Sequence, residues 1–199
     1  MENGEQVTME LNLPSCERYV YDPHRFFDFV EKNCRLVDHN NEFLNIKIHE
    51  FDHSFINVVL HSNKPHVIRD QGRRSGGTTL LSLLALFYTL DEHKSVTLIS
   101  SSTSMALAWG HTLKNIQLLT HTVTGALLTG VIKINIKDIH DASESIIRIM
   151  ANDHHLLYKL SGCHHDYIFI DGTGNINPHI LNDMCSMLNS GGKVIENIS

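Results

Sequence analysis

Only four of the 199 residues are cysteine, Cys16, Cys34, Cys163 and Cys185, and no two of them form a C-x-x-C pair. That scarcity argues against a disulfide-built scaffold and a cysteine zinc site, and it fits a reducing, intracellular setting. A long apolar run is missing too. The longest, over 80–88, is interrupted by Ser82 and is about half the ~20 residues a bilayer needs. No signal peptide is legible, because MENGEQVTMELNLP is acidic and polar where a leader is basic and then apolar. Nor is there an excess of positive charge. With 16 Lys and Arg against 22 Asp and Glu, the net charge of -6 gives no whole-molecule attraction to nucleic acid or to an anionic membrane. DNA is a disfavoured partner on that ground. No internal repeat or low-complexity tract stands out.

What is present is a chain that is 42% hydrophobic, enough for one sizeable core. Residues 1–22 read as an extended or partly ordered arm and 23–199 as one domain. Apolar spacing predicts a short helix over 25–33, a half-buried strand over 43–48 and a helix over 51–62. HVIRD at 66–70 is a β-branched strand that runs into a Gly and Ser cluster. Residues 79–90 are apolar almost all round, so the helix there is expected to be buried on most of its surface. A strand follows over 95–100, then a helix whose N-cap comes from the hydroxyls of 100–104 and whose pattern runs to 119.

Two strands, 131–137 and 145–151, joined by DIHDASE, read as an antiparallel pair; a helix over 143–150 competes with the second. DYIFID at 166–171 is a buried-strand run ending in an acid, Asn177-Pro178 caps a helix to Asn189, and 193–199 supply a last strand. The expected fold class is α/β, a mostly parallel sheet flanked by helices, with an inserted antiparallel hairpin, and the loop described next makes that sheet P-loop NTPase-like.

The chemistry concentrates in RDQGRRSGGTT, 69–79. A phosphate-binding loop uses small residues so that backbone N–H groups can approach phosphates, while a helix N-terminus, a lysine and a Ser or Thr supply charge and a magnesium ligand. Gly76, Gly77 and Thr78 occupy the G-K-[ST] positions, and Gly72 stands one residue late for the first glycine. Candidate nucleotide contacts are Gly72, Arg73, Arg74, Ser75, Gly76, Thr78 and Thr79. Thr78 and Asp171 are candidate magnesium ligands, should ATP with magnesium bind at all. A glycine-rich turn between strand and helix is the competing interpretation.

GRRSGGTT, then VTLISSSTSMALAWGHTLKNI, then YIFIDGTGNINPHILNDMCSMLNSGGKVIENIS resemble the ATPase domain of the large terminase subunit, the DNA-packaging motor of tailed phages and herpesviruses. HEFDHSFINVVLHSNKPHVIRD resembles that family's adenine-side segment, and the likeness extends over 26–199. The resemblance implies a degenerate member. Asp52 stands at the adenine-side glutamine, Gly77 at the loop lysine, Gly172 at the catalytic glutamate and Ser161 at an arginine, so no catalytic residue is assigned. The family's nuclease domain has no counterpart here. ENIS closes the coupling strand in place of a Thr/Ser-rich turn.

A hydrogen bond to a charged group contributes about 1.5–3 kcal/mol. A positioned base contributes about 10²–10⁴ in rate and a transition-state arginine about 10³–10⁵. These losses do not simply add, yet their combination predicts very slow turnover. The resemblance thus implies a virus-encoded pseudo-ATPase, in host cytoplasm, nucleus or virion, acting through a protein partner such as a packaging or capsid component or a host factor. The alternative is a weak ATP-binding or ATP-hydrolysing packaging protein in which Arg73 or Arg74 replaces the lysine.

Other polar residues carry weaker signals. Fifteen histidines include His154-His155 and the run Cys163, His164, His165, Asp166, but neighbours on a strand point to opposite faces, so surface or loop histidines are expected over a zinc site. Trp109 reads as packing, not base stacking. Arg69 joins Arg73 and Arg74 in a local basic cluster, which is where a phosphate would bind, with solvated loop charge as the competing interpretation, and Asp141 with Glu144 reads as a solvated turn.

Overall fold

The computed structural model describes residues 23–37, 40, 42–70, 75–128, 131–140, 143–161, 164–172 and 176–198. The arm over 1–22 and the loop residues Gly72, Arg73 and Arg74 lie outside them. In chain order the elements are α1 (Pro23–Asn33), β1 (Cys34–Val37), β2 (Phe43–Asn45), α2 (Glu50–His61), β3 (His66–Asp70) and α3 (Gly77–Leu90). Next come β4 (Val96–Ser100), α4 (Thr103–Asn115), β5 (Ile116–Leu118), β6 (His121–Leu128), β7 (Val131–Asp138) and β8 (Glu144–Ala151). Last are α5 (Leu156–Leu160), β9 (His165–Asp171), α6 (Pro178–Ser186) and β10 (Leu188–Ile198).

Seven strands form one sheet in the order β3-β10-β9-β4-β8-β7-β6. The first five run parallel, and β8-β7-β6 continue antiparallel. This is the expected α/β frame, with the hairpin at 131–151 as predicted and no helix over 143–150. Three strands, β1, β5 and β6, were not anticipated. β6 extends the hairpin into a meander, and β5 ends α4 at Asn115, where the apolar spacing had carried the helix to 119. The physical reason is distant pairing: β5 lies antiparallel to β1, which pairs with β2 in a separate three-stranded sheet. The strand predicted over 43–48 is correspondingly only Phe43–Asn45, and the helix predicted to reach Asn189 stops at Ser186, where β10 begins early.

The core lies on both faces of the large sheet. On one face α3 is enclosed by α1, α4 and the strands, with Leu81, Leu84, Ala85, Leu86 and Phe87 all fully buried. Tyr88 stacks on Tyr167 at 3.7 Å between ring centroids. Trp109 is core, as predicted: its Nε1 donates to Ser82 Oγ at 2.8 Å, so the hydroxyl that interrupts the apolar run ties α4 to α3. Ser102 supplies the N-cap of α4, accepting from the Met105 amide. On the other face α5 and α6 cover Ile99, Ile168, Ile170 and Val194. No helix among the described residues is long and apolar enough to cross a membrane.

Candidate functional site

The site follows from strand parity. In the parallel strands Val67, Leu98, Phe169 and Ile195 are buried against α3, so residues two further along point to the same face at the carboxyl ends. Those residues are Arg69, Ser100, Asp171 and Asn197. Register places them in one row, Arg69 beside Asn197, Asn197 beside Asp171 and Asp171 beside Ser100. All four are buried, so each requires polar partners.

Arg69 is the centre of that network, not the solvated or phosphate-facing cation of the sequence reading. It is 2% exposed. Its Nε and Nη2 both lie 2.9 Å from Asp52 Oδ1 on α2. Nη1 donates to Ser75 Oγ at 3.0 Å and to Asn197 Oδ1 at 2.8 Å, and Nη2 to the Ser75 carbonyl at 3.2 Å. Asp52, assigned by resemblance to the adenine side, is turned inward and neutralises this cation. Asn197 Nδ2 in turn donates to Asp171 Oδ1 at 2.6 Å, and Thr78 Oγ1 to Asp171 Oδ2 at 2.5 Å. Asn197 was not among the candidate residues, and Arg69 entered only as part of the basic cluster. Their signal was the alternation itself, a polar residue two positions after a core residue at each strand's end.

The glycines at the two substituted positions differ in kind. Gly76 caps α3 in the left-handed region at φ 77°, where a glycine is needed. A Cβ on Gly77 would lie 2.5 Å from Asn197 Nδ2, 2.7 Å from Asn197 Oδ1 and 2.8 Å from Arg69 Nη1. The space where a lysine side chain would leave the backbone is filled by Arg69 and Asn197. Gly172, after Asp171, has space for a Cβ but sits at φ 69°, where a glutamate is strained. Ser161 caps α5 with its Oγ donating to the Tyr158 carbonyl, at the opposite end of β9 from Asp171. Thr79 lies in the first turn of α3, partly buried.

For ATP with magnesium the fit is divided. Thr78 and Asp171 are hard oxygen donors brought side by side, which suits magnesium. Arg69, at the end of β3, is already paired with Asp52, and Gly77 presents no side chain, so neither position offers a triphosphate a free cation. No group of three or more His, Cys, Asp or Glu among the described residues is placed to hold a metal. His154 and His155 are exposed in a turn, and Cys163 lies outside the described residues. His165 is buried, contrary to the surface expectation: its Nδ1 meets Thr97 Oγ1 at 3.0 Å and its Nε2 the Leu160 carbonyl at 3.2 Å. Burial holds its pKa below the ordinary value.

No protein-family model matches the sequence, and no curated protein does. Solved structures do match. The ATPase domain of the Thermus phage P74-26 large terminase aligns at a TM-score of 0.50 over 76% of this chain and 64% of that one, with 12% identity. The large terminase of a thermophilic bacteriophage, in complex with ADP, aligns at 0.51 over 69% of this chain and 34% of that one, with 14% identity. The fold is terminase-ATPase-like. This chain therefore spans less than two thirds of the Thermus phage domain and about a third of the ADP-bound terminase. Within that terminase-like fold the polar row lies where open α/β sheets characteristically bind ligands, at the carboxyl ends of the parallel strands.

Proposed function

We propose that the chain is a virus-encoded, degenerate relative of the terminase ATPase core that acts through protein–protein interaction in packaging or capsid assembly, or on a host factor, without efficient ATP hydrolysis. The observation that carries this reading is the occupied space at Gly77. Arg69 enters it from β3, is neutralised by Asp52 and is bonded to Asn197. A closed, charge-balanced network of this kind stabilises the loop end of the sheet without a nucleotide. The absence of a carboxylate after Asp171 supports the same conclusion, since Gly172 has none to orient water.

One observation favours a second reading, weak nucleotide binding: Thr78 and Asp171 keep the pairing that a magnesium ion would use. Thermal unfolding with and without millimolar Mg-ATP separates the two. Ligand at 100 times its Kd stabilises the native state by about 2.7 kcal/mol. The proposal predicts no shift; a magnesium-dependent rise in Tm that is lost in Thr78→Ala supports the second reading.

A further inference from the structure

Among the described residues the large sheet ends at β3, which pairs with β10 alone, so within that part of the chain no strand lies along the outer edge of β3. Such edges are normally blunted by charge, proline or a covering element. At the middle of this one stands Ile68, 50% exposed. Each face of this edge carries exposed apolar side chains. By strand parity Ile68 projects on the α5 and α6 side, and on the other side Phe51 and Val58 of α2 are 45% and 47% exposed. Phe51, Phe55, Val58 and Ile68, with Ser54, Arg69 and Asp70, line one groove of about 220 Å³ along the strand.

The charges along this edge are polarised. α2 and β3 are joined by a four-residue connection, 62–65, and the start of α2, with Glu50, comes to the Asp70 end of β3, where Phe51 and Asp70 share the groove. Lys64 marks the opposite end, where His66 is already engaged by Glu196 at 3.1 Å. An edge acidic at one end and basic at the other, with its apolar residue in the centre, is complementary to itself turned through 180°.

We propose that the β3 edge is a self-association surface, in which a second copy of this chain adds its own β3 antiparallel and makes an isologous two-fold dimer with a continuous sheet. Centred on Ile68, the register sets Ile68 against the partner's Ile68, and His66 against the partner's Asp70. Lys64 becomes a diagonal neighbour of the partner's Asp70, within reach of a long side chain. The two α2 helices meet across the joint on one face and extend the apolar contact through Phe51 and Val58. A five-residue strand is a small interface, so association is weak and concentration-dependent. Arg69 of the buried network also lines this groove, but the pairing uses the strand's backbone and the exposed side chains around Ile68, so it does not depend on whether nucleotide binds.

Sedimentation velocity on the full chain over a wide concentration range tests the assignment. A dimer is expected at high concentration, lost in Ile68→Lys, whose side chain is already half in solvent. Asp70→Lys should abolish it as well, and Asp70→Lys with Lys64→Glu should restore it, because the reversed edge is again self-complementary. A monomer throughout the range overturns the proposal, whether another part of the chain or a different protein then covers the edge. A dimer unchanged by Ile68→Lys overturns it too, by placing the interface elsewhere. Circular dichroism on each variant confirms that the monomers being compared are folded.

Discussion

Arg69 and Asp52 form an ion pair whose side chains are only 1% and 5% exposed, and that burial decides how their variants behave. Taking one partner from a buried pair leaves an uncompensated charge and costs about 3–5 kcal/mol. Asp52→Ala should therefore lower the unfolding free energy by about that amount, and for a chain of this size each kcal/mol is about 2–4 °C in Tm. Arg69→Met with Asp52→Leu should cost much less than the sum of the single changes, since no charge is left buried. A sum that is simply additive in denaturant unfolding would contradict the coupling. At Gly77 the contacts at 2.5–2.8 Å predict that even Gly77→Ala displaces Asn197 from Asp171 and Arg69, costing about 1–3 kcal/mol. Gly77→Lys should be destabilised likewise and should not gain Mg-ATP binding; tight binding by that variant would mean the network yields easily.

The elements most legible in the sequence are those specified locally. HVIRD reads as a strand from its β-branched residues and forms one over His66–Asp70, and the all-round apolar 79–90 is the buried α3. Asn177-Pro178 starts α6 as a cap and first-turn pair, with Asn177 Oδ1 accepting from the His179 amide at 2.9 Å. β1 and β5 were hidden because their strand character comes from partners: Ile116, Gln117 and Leu118 pair with Leu36, Arg35 and Cys34, far away in sequence. The site was half legible. Thr78 and Asp171 came from motif spacing, whereas Arg69 and Asn197 needed the parity argument together with the strand order, which places β10 between β3 and β9.

β9 carries a further consequence at this scale, through His165. An unfolded histidine takes up a proton near pH 6.5, but His165, buried between Thr97 and the Leu160 carbonyl, does so only at lower pH. Its contribution is fully present above pH 6.5 and is lost as the pH falls below it, because there the unfolded chain binds the proton first. Denaturant midpoints at about pH 7.5 and about pH 5.5 should therefore differ more in the wild-type chain than in His165→Gln. An equal difference would show that His165 does not carry the effect.

At the scale of the whole molecule, a terminase-like sheet is combined with a ligand end whose cation, amide and carboxylate are bonded to one another. Two hydrophobic layers, one around α3 and one beneath α5 and α6, hold the strands in register independently of any ligand. The fold can therefore persist without turnover, and selection on its surfaces can differ from selection on its chemistry. The most direct test is magnesium-dependent release of inorganic phosphate from ATP by the purified full chain. The account predicts release no faster than in a protein-free control. Robust release that disappears in Thr78→Ala or Asp171→Ala would contradict it.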